Sequence, residues 1–76
     1  MTRVRILRYL ATVPDASAGE VATALSIPSP TAGMALLRLV RNGLVASTFD
    51  RRRRRLFYAL TPKGEARLLF LERRGS

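Results

Sequence analysis

Near the start of the chain Val4, Leu7, Leu10 and Ala11 recur at helical spacing. Ile6 and Tyr9 lie beside them, and Arg3, Arg5 and Arg8 take other faces. The pattern predicts an amphipathic helix over roughly residues 2–12, ended by Val13-Pro14-Asp15. Ser17-Ala18-Gly19-Glu20 has the form of a capping box, in which the Ser hydroxyl accepts from the Glu20 N–H and the carboxylate reaches back. It opens a short helix with Val21, Ala22 and Leu25 facing inward, broken by Ser26-Ile27-Pro28-Ser29-Pro30. Ser29 as N-cap and Pro30 at the first helical position start a third helix that runs to about Asn42, with Gly43 stopping it. Ala32, Ala35, Leu36 and Leu39 form its core stripe.

The period then changes. Leu44 to Phe49 and Leu56 to Thr61 are strand-like segments rich in β-branched and aromatic residues, and five consecutive arginines, Arg51 to Arg55, separate them. That framing makes the basic run the tip of a β-hairpin rather than a disordered tail. Alternation along the second strand gives one packed and one partly exposed face, with Tyr58 assigned to the core. Thr61-Pro62 supplies another N-cap and first-turn pair, starting a last helix with Ala66, Leu68, Leu69, Phe70 and Leu71. The expected fold is a single domain over residues 1–76, mainly α with a β-hairpin wing (α+β), in the order H-H-H-β-β-H.

Composition narrows the chemistry. The chain has 76 residues, no Cys and no His, which removes disulfides, thiolate chemistry and the usual zinc sites. Its five carboxylates are scattered without metal-ligand spacing or an obvious acid/base pair, so neither an enzyme nor a cofactor is expected. The net charge of +9 comes almost wholly from arginine, whose planar fork suits phosphate and guanine edges. No apolar stretch approaches the ~20 residues of a membrane span, and Arg8 interrupts the one segment that begins like a signal peptide. A cytoplasmic protein is expected, with a nucleic acid as partner and no membrane.

Two stretches carry a family resemblance. Leu25-Ser26-Ile27 through Leu36, Leu39 and Gly43-Leu44-Val45 is similar to the turn, recognition helix and wing start of winged helix-turn-helix regulators in bacteria. Arg52-Arg53-Arg54-Arg55-Leu56-Phe57-Tyr58-Ala59-Leu60-Thr61-Pro62-Lys63-Gly64 resembles their wing, leading into Leu-Thr-x-x-Gly at the next helix. The likeness is to the PadR-like and MarR-like families and covers roughly residues 4–70. It implies that the helix over 29–42 enters the major groove while the wing over 50–56 lies on the minor groove or backbone. By position, Ser29, Thr31, Met34 and Arg38 would face the major groove, Ser17 would touch backbone, and Arg51, Arg52, Arg53 and Arg54 would follow the minor groove. The same residues have plainer roles to fill: Ser17 and Ser29 cap helices, and Arg38 and Arg41 suit a solvated face.

One departure from the family stands out. Gly33, Leu37 and Val40 make a second apolar stripe on the third helix, where a sequence reader normally shows Arg, Asn, Gln or Lys. These residues, with Leu68 and Leu71 of the last helix, are candidates for a protein interface, including that of a homodimer or a DNA-assembled oligomer. The expected function is that of a small regulator acting as a repressor, without a small-molecule effector. The rivals are a plasmid or phage accessory protein that multimerises on DNA, and a winged helix used as a protein-interaction module.

Overall fold

The computed structural model describes residues 2–75. Four helices and one hairpin follow in the order α1 (Thr2–Leu10), α2 (Ala18–Leu25), α3 (Ser29–Arg41), β1 (Val45–Asp50), β2 (Arg55–Leu60) and α4 (Pro62–Gly75). The H-H-H-β-β-H order is the one the sequence predicts.

Local chemistry sets most boundaries. Ser17 accepts from the Glu20 N–H at 3.2 Å while Glu20 Oε1 accepts from the Ser17 N–H at 2.9 Å, the reciprocal capping box expected at α2. At the end of α3, Gly43 adopts φ +75°, the Gly43 N–H donates to the Val40 carbonyl and the Leu44 N–H to the Leu39 carbonyl. This is a Schellman closure, and glycine is what makes the left-handed residue inexpensive. The start of α3 differs by one residue from expectation. Pro28 is the N-cap, Ser29 is the first helical residue, and no side chain caps the helix. Pro28 is extended and its carbonyl already accepts from the Ala32 N–H at 3.0 Å, so the helix begins one residue early and leaves the Ser29 hydroxyl without a capping partner.

The core lies where the helices meet the base of the hairpin. Ile6, Leu7 and Leu10 of α1, Val21 of α2, Leu36 and Leu39 of α3, Val45 of β1 and Leu68 of α4 are all buried in it. Each large side chain of this kind contributes roughly 1.5–3 kcal/mol by leaving water. The hairpin is antiparallel with Val45 opposite Leu60 and Asp50 opposite Arg55, leaving Arg51 to Arg54 as its loop. Tyr58 and Leu60 pack against the core as expected, whereas Leu56, on the same face, projects beyond it and is exposed. On the opposite face Phe57 is buried, although alternation along the strand predicts that face to be the partly exposed one.

Thr61 fastens the base of the hairpin to both flanking helices. Its hydroxyl donates to the Gly43 carbonyl at 2.7 Å and accepts from the Gly64 N–H at 3.0 Å, and its own N–H donates to the Leu44 carbonyl at 3.1 Å. The last turn of α3, the base of the hairpin and the first turn of α4 are therefore tied together by one residue. Gly64 is required there: a Cβ would collide with the Leu44 carbonyl oxygen and lie 2.8 Å from Leu60 Cδ1.

Candidate nucleic-acid interface

The arginines of the wing are not equivalent. Arg53 is engaged within the chain. Its guanidinium meets Asp15 Oδ2 at 3.0 Å and Asp50 Oδ2 at 3.0 Å, and its Cζ lies 3.4 Å from the centre of the Phe57 ring. Phe57 is buried because Arg53 covers it, a cation–π contact on a side chain that the core does not reach. Asp15 is brought there by a bridge in which the Ala16 N–H donates to the Tyr58 carbonyl at 3.0 Å and the Tyr58 N–H to the Ala16 carbonyl at 2.8 Å. The segment between α1 and α2 thus joins the outer side of β2 through one isolated bridge, and Arg53 pins the hairpin to it.

Asp50 organises the loop from the other side. Oδ1 accepts from the backbone N–H groups of Arg52 and Arg53, both at 2.9 Å, and Oδ2 from Arg53 Nε at 3.0 Å. The Arg53 backbone N–H, then the Arg53 side chain, hold the Asp50 carboxyl below its ordinary range. Pairing with Asp15 first, and with Asp50 next, holds the Arg53 guanidinium above its own. The Arg54 N–H closes the turn on the Asp50 carbonyl at 2.7 Å, with Arg54 itself left-handed at φ +57°. Around this clamp Arg51, Arg52, Arg54 and Arg55 are exposed, and among the described residues no carboxylate pairs with them. Three unpaired guanidiniums on a stiffened turn and a fourth at the first residue of β2 give the hairpin tip a positive surface with little conformational freedom to lose in the backbone.

Helix α3 presents Ser29, Thr31, Met34 and Arg38 to solvent, so these four expected groove-facing positions lie on accessible surface. Arg3 of α1 shares an open groove with Thr31, Met34 and Arg38, which adds a cation that helical spacing alone did not single out. Ser17 is elsewhere in chemical terms. It is 4 % exposed with its oxygen held by the Glu20 N–H, the capping role that the sequence also offers it.

The expected protein-interface residues also separate. Leu68 is 6 % exposed within the core, which removes it from that set. Val40 packs against the core and Leu71 is half-buried, whereas Leu37 is exposed and the site of a Cβ on Gly33 is open space. The apolar surface of α4 belongs instead to Leu69 and Phe70. Arg5 and Arg8 are engaged within the chain: Arg5 donates to the Leu25 carbonyl at 2.7 Å at the end of α2, and Arg8 meets Glu72 of α4 at 3.5 Å on the surface.

Among the described residues no group of His, Cys, Asp and Glu could hold a metal ion, and no helix is long and apolar enough to cross a membrane.

Comparison with known proteins agrees with this geometry. Residues 1–56 match the model of the MarR family, one of the two families that the sequence resembles. No curated protein sequence matches the chain. Among solved structures, a MarR family transcriptional regulator from Silicibacter pomeroyi DSS is similar with a TM-score of 0.86 at 25 % identity, over 95 % of this chain and 48 % of that one. BpsR of Bordetella bronchiseptica, whose DNA binding is regulated by 6-hydroxynicotinic acid, has a TM-score of 0.86 at 27 % identity over 92 % and 51 %. The transcriptional regulator BldR from Sulfolobus solfataricus has 0.82 at 26 % over 90 % and 49 %. The chain spans about half the length of each of these proteins. Because BpsR is regulated by a small molecule, the likeness lends no support to the expectation of no effector. Members of the matched family are transcriptional regulators and not enzymes. With the helix order, the hairpin and residues 1–56 all accounted for, the chain belongs to the MarR family of winged-helix transcriptional regulators.

Proposed function

We propose that this chain binds double-stranded DNA as the DNA-contacting part of a repressor, with α3 in the major groove and the wing on the adjacent minor groove or backbone. The observation that carries the reading is the sorting of the wing arginines. One is consumed in holding the hairpin rigid, and four are left exposed and unpaired on its loop and at the first residue of β2. Ser29 and Thr31, exposed in the first turn of α3, sit where the helix dipole and free N–H groups favour a phosphate. Arg38, exposed on the same helix, supplies a guanidinium for a base edge or a phosphate. A homodimer would set two wings and two helices along one face of the duplex, with Leu69 and Phe70 extending the apolar surface available to it. Such a protein works in the cytoplasm, at the nucleoid.

The test is a fluorescence-anisotropy titration onto a mixed-sequence duplex across a salt series. Tight binding with a steep log–log slope is expected, because each neutralised phosphate contributes about −0.9. Weak binding with a flat slope would refute the proposal and leave the arginines as a solvated loop. Footprints that spread with protein concentration, rather than covering one site, would favour an architectural protein over a repressor.

A further inference from the structure

The outward side of α3 carries Pro30, Thr31, Met34, Leu37, Arg38 and Arg41, all exposed. No carboxamide or carboxylate is among them, so this surface has no bidentate partner for adenine and, apart from the Thr31 hydroxyl, no acceptor for the amino group of cytosine. Met34 and Leu37 are 56 % and 42 % exposed and lie one turn apart. Beside them Gly33 weakens the helix without an internal reason, since a Cβ there would meet nothing within 4 Å. Its effect is to lower the helix surface next to Leu37. The charge around the pair has one sign: Arg38 and Arg41 flank it, and no carboxylate occurs in the chain between Glu20 and Asp50.

An apolar pair inside a purely cationic frame is complementary to a surface that is apolar at its floor and anionic at its rims. The major groove of T-rich duplex DNA is such a surface, with the thymine C5-methyl groups between two phosphate ridges. We propose that Met34 and Leu37 read thymine methyl groups, so that this helix selects T-rich half-sites by apolar contact, with Gly33 permitting the close approach. The inference rests on the duplex-binding reading above and adds the base that the helix prefers.

The test uses one A·T-rich duplex synthesised with thymidine and again with deoxyuridine, which lacks only the methyl, and compares the native chain with Met34→Ala/Leu37→Ala. Both side chains are exposed, so the double variant retains the core. The native chain should bind the deoxyuridine duplex about fourfold more weakly for each thymine methyl group that the pair covers. The double variant should bind both duplexes alike, with the native salt slope, because every arginine is untouched. Equal, steeply salt-dependent binding of both duplexes by the native chain would overturn this inference and leave the duplex-binding reading standing. Weak, salt-insensitive binding of both would overturn that reading and this inference together. If the double variant changes the oligomeric mass in sedimentation while the thymidine preference persists, the pair belongs to a protein contact and the inference fails.

Discussion

If the wing is an electrostatic clamp, substitutions at adjacent arginines must have different consequences, because Arg53 is engaged and its neighbours are not. Arg51, Arg52, Arg54 and Arg55 are available to phosphate. Four such contacts contribute about −3.6 to the log–log salt slope, at about −0.9 each. Arg51→Ala/Arg52→Ala/Arg54→Ala leaves one, and about −0.9. A fourfold rise in salt should then weaken the wing's contribution about 150-fold in the native chain but only about 3.5-fold in the triple variant. Arg52→Ala alone should flatten the slope by about 0.9. Arg53→Ala should leave the slope near its native value, since that guanidinium neutralises Asp15 and Asp50 instead of phosphate. Its effect should be a looser hairpin, seen as faster exchange of the Arg52 and Arg53 backbone amides that Asp50 now fixes. The assay is anisotropy on one duplex at several salt concentrations for each variant. An Arg53→Ala slope as flat as that of Arg52→Ala would show that Arg53 abandons its carboxylates on DNA, and the division of labour between the arginines would be wrong.

The same contacts give four further expected outcomes. Gly64→Ala should destabilise the chain by about 1–3 kcal/mol in denaturant unfolding, since its Cβ overlaps the Leu44 carbonyl; an unchanged midpoint would mean the start of α4 can shift. Ser26, left-handed at φ 54° in the turn between α2 and α3, should become more stable as Ser26→Gly by roughly 1 kcal/mol, read as a higher thermal midpoint. Ser17→Ala should cost about 1 kcal/mol of stability because the cap is removed, while DNA affinity measured where the variant is fully folded stays native; a selective fall in affinity would make Ser17 a DNA contact. Asp50, depressed below 3.8 in the folded chain, supports the wing fully above that value, and its contribution disappears as pH falls through the lower folded value. Amide protection at Arg52 and Arg53 should therefore hold at neutral pH and drop only below the ordinary carboxylate range.

Much of this molecule is local chemistry, and local chemistry is legible in a sequence. Ser17 and Glu20 are three residues apart, so their capping box needs no tertiary partner. Gly43 ends α3 because the left-handed residue it provides lets two N–H groups reach back to carbonyls of the same helix. The change of period on entering Val45–Asp50 announces the hairpin. The net charge of +9 and the arginine run are visible as composition.

What composition could not distinguish is one arginine from its identical neighbours. Arg53 differs from Arg52 and Arg54 only because the Asp50–Arg55 register and the Ala16–Tyr58 bridge bring Asp15, 38 residues away, onto its guanidinium above Phe57. The same holds for Leu68 against Leu69: consecutive leucines carry no signal of which is inward until α4 packs on α1, and then one is core and the other surface. Short-range hydrogen bonds and periodicity are properties of neighbouring residues, so the sequence determined the elements, several of their ends and the total charge. Which charges remain available to a polyanion, and which apolar groups face outward, depends on contacts between distant segments, and the tertiary structure decided those.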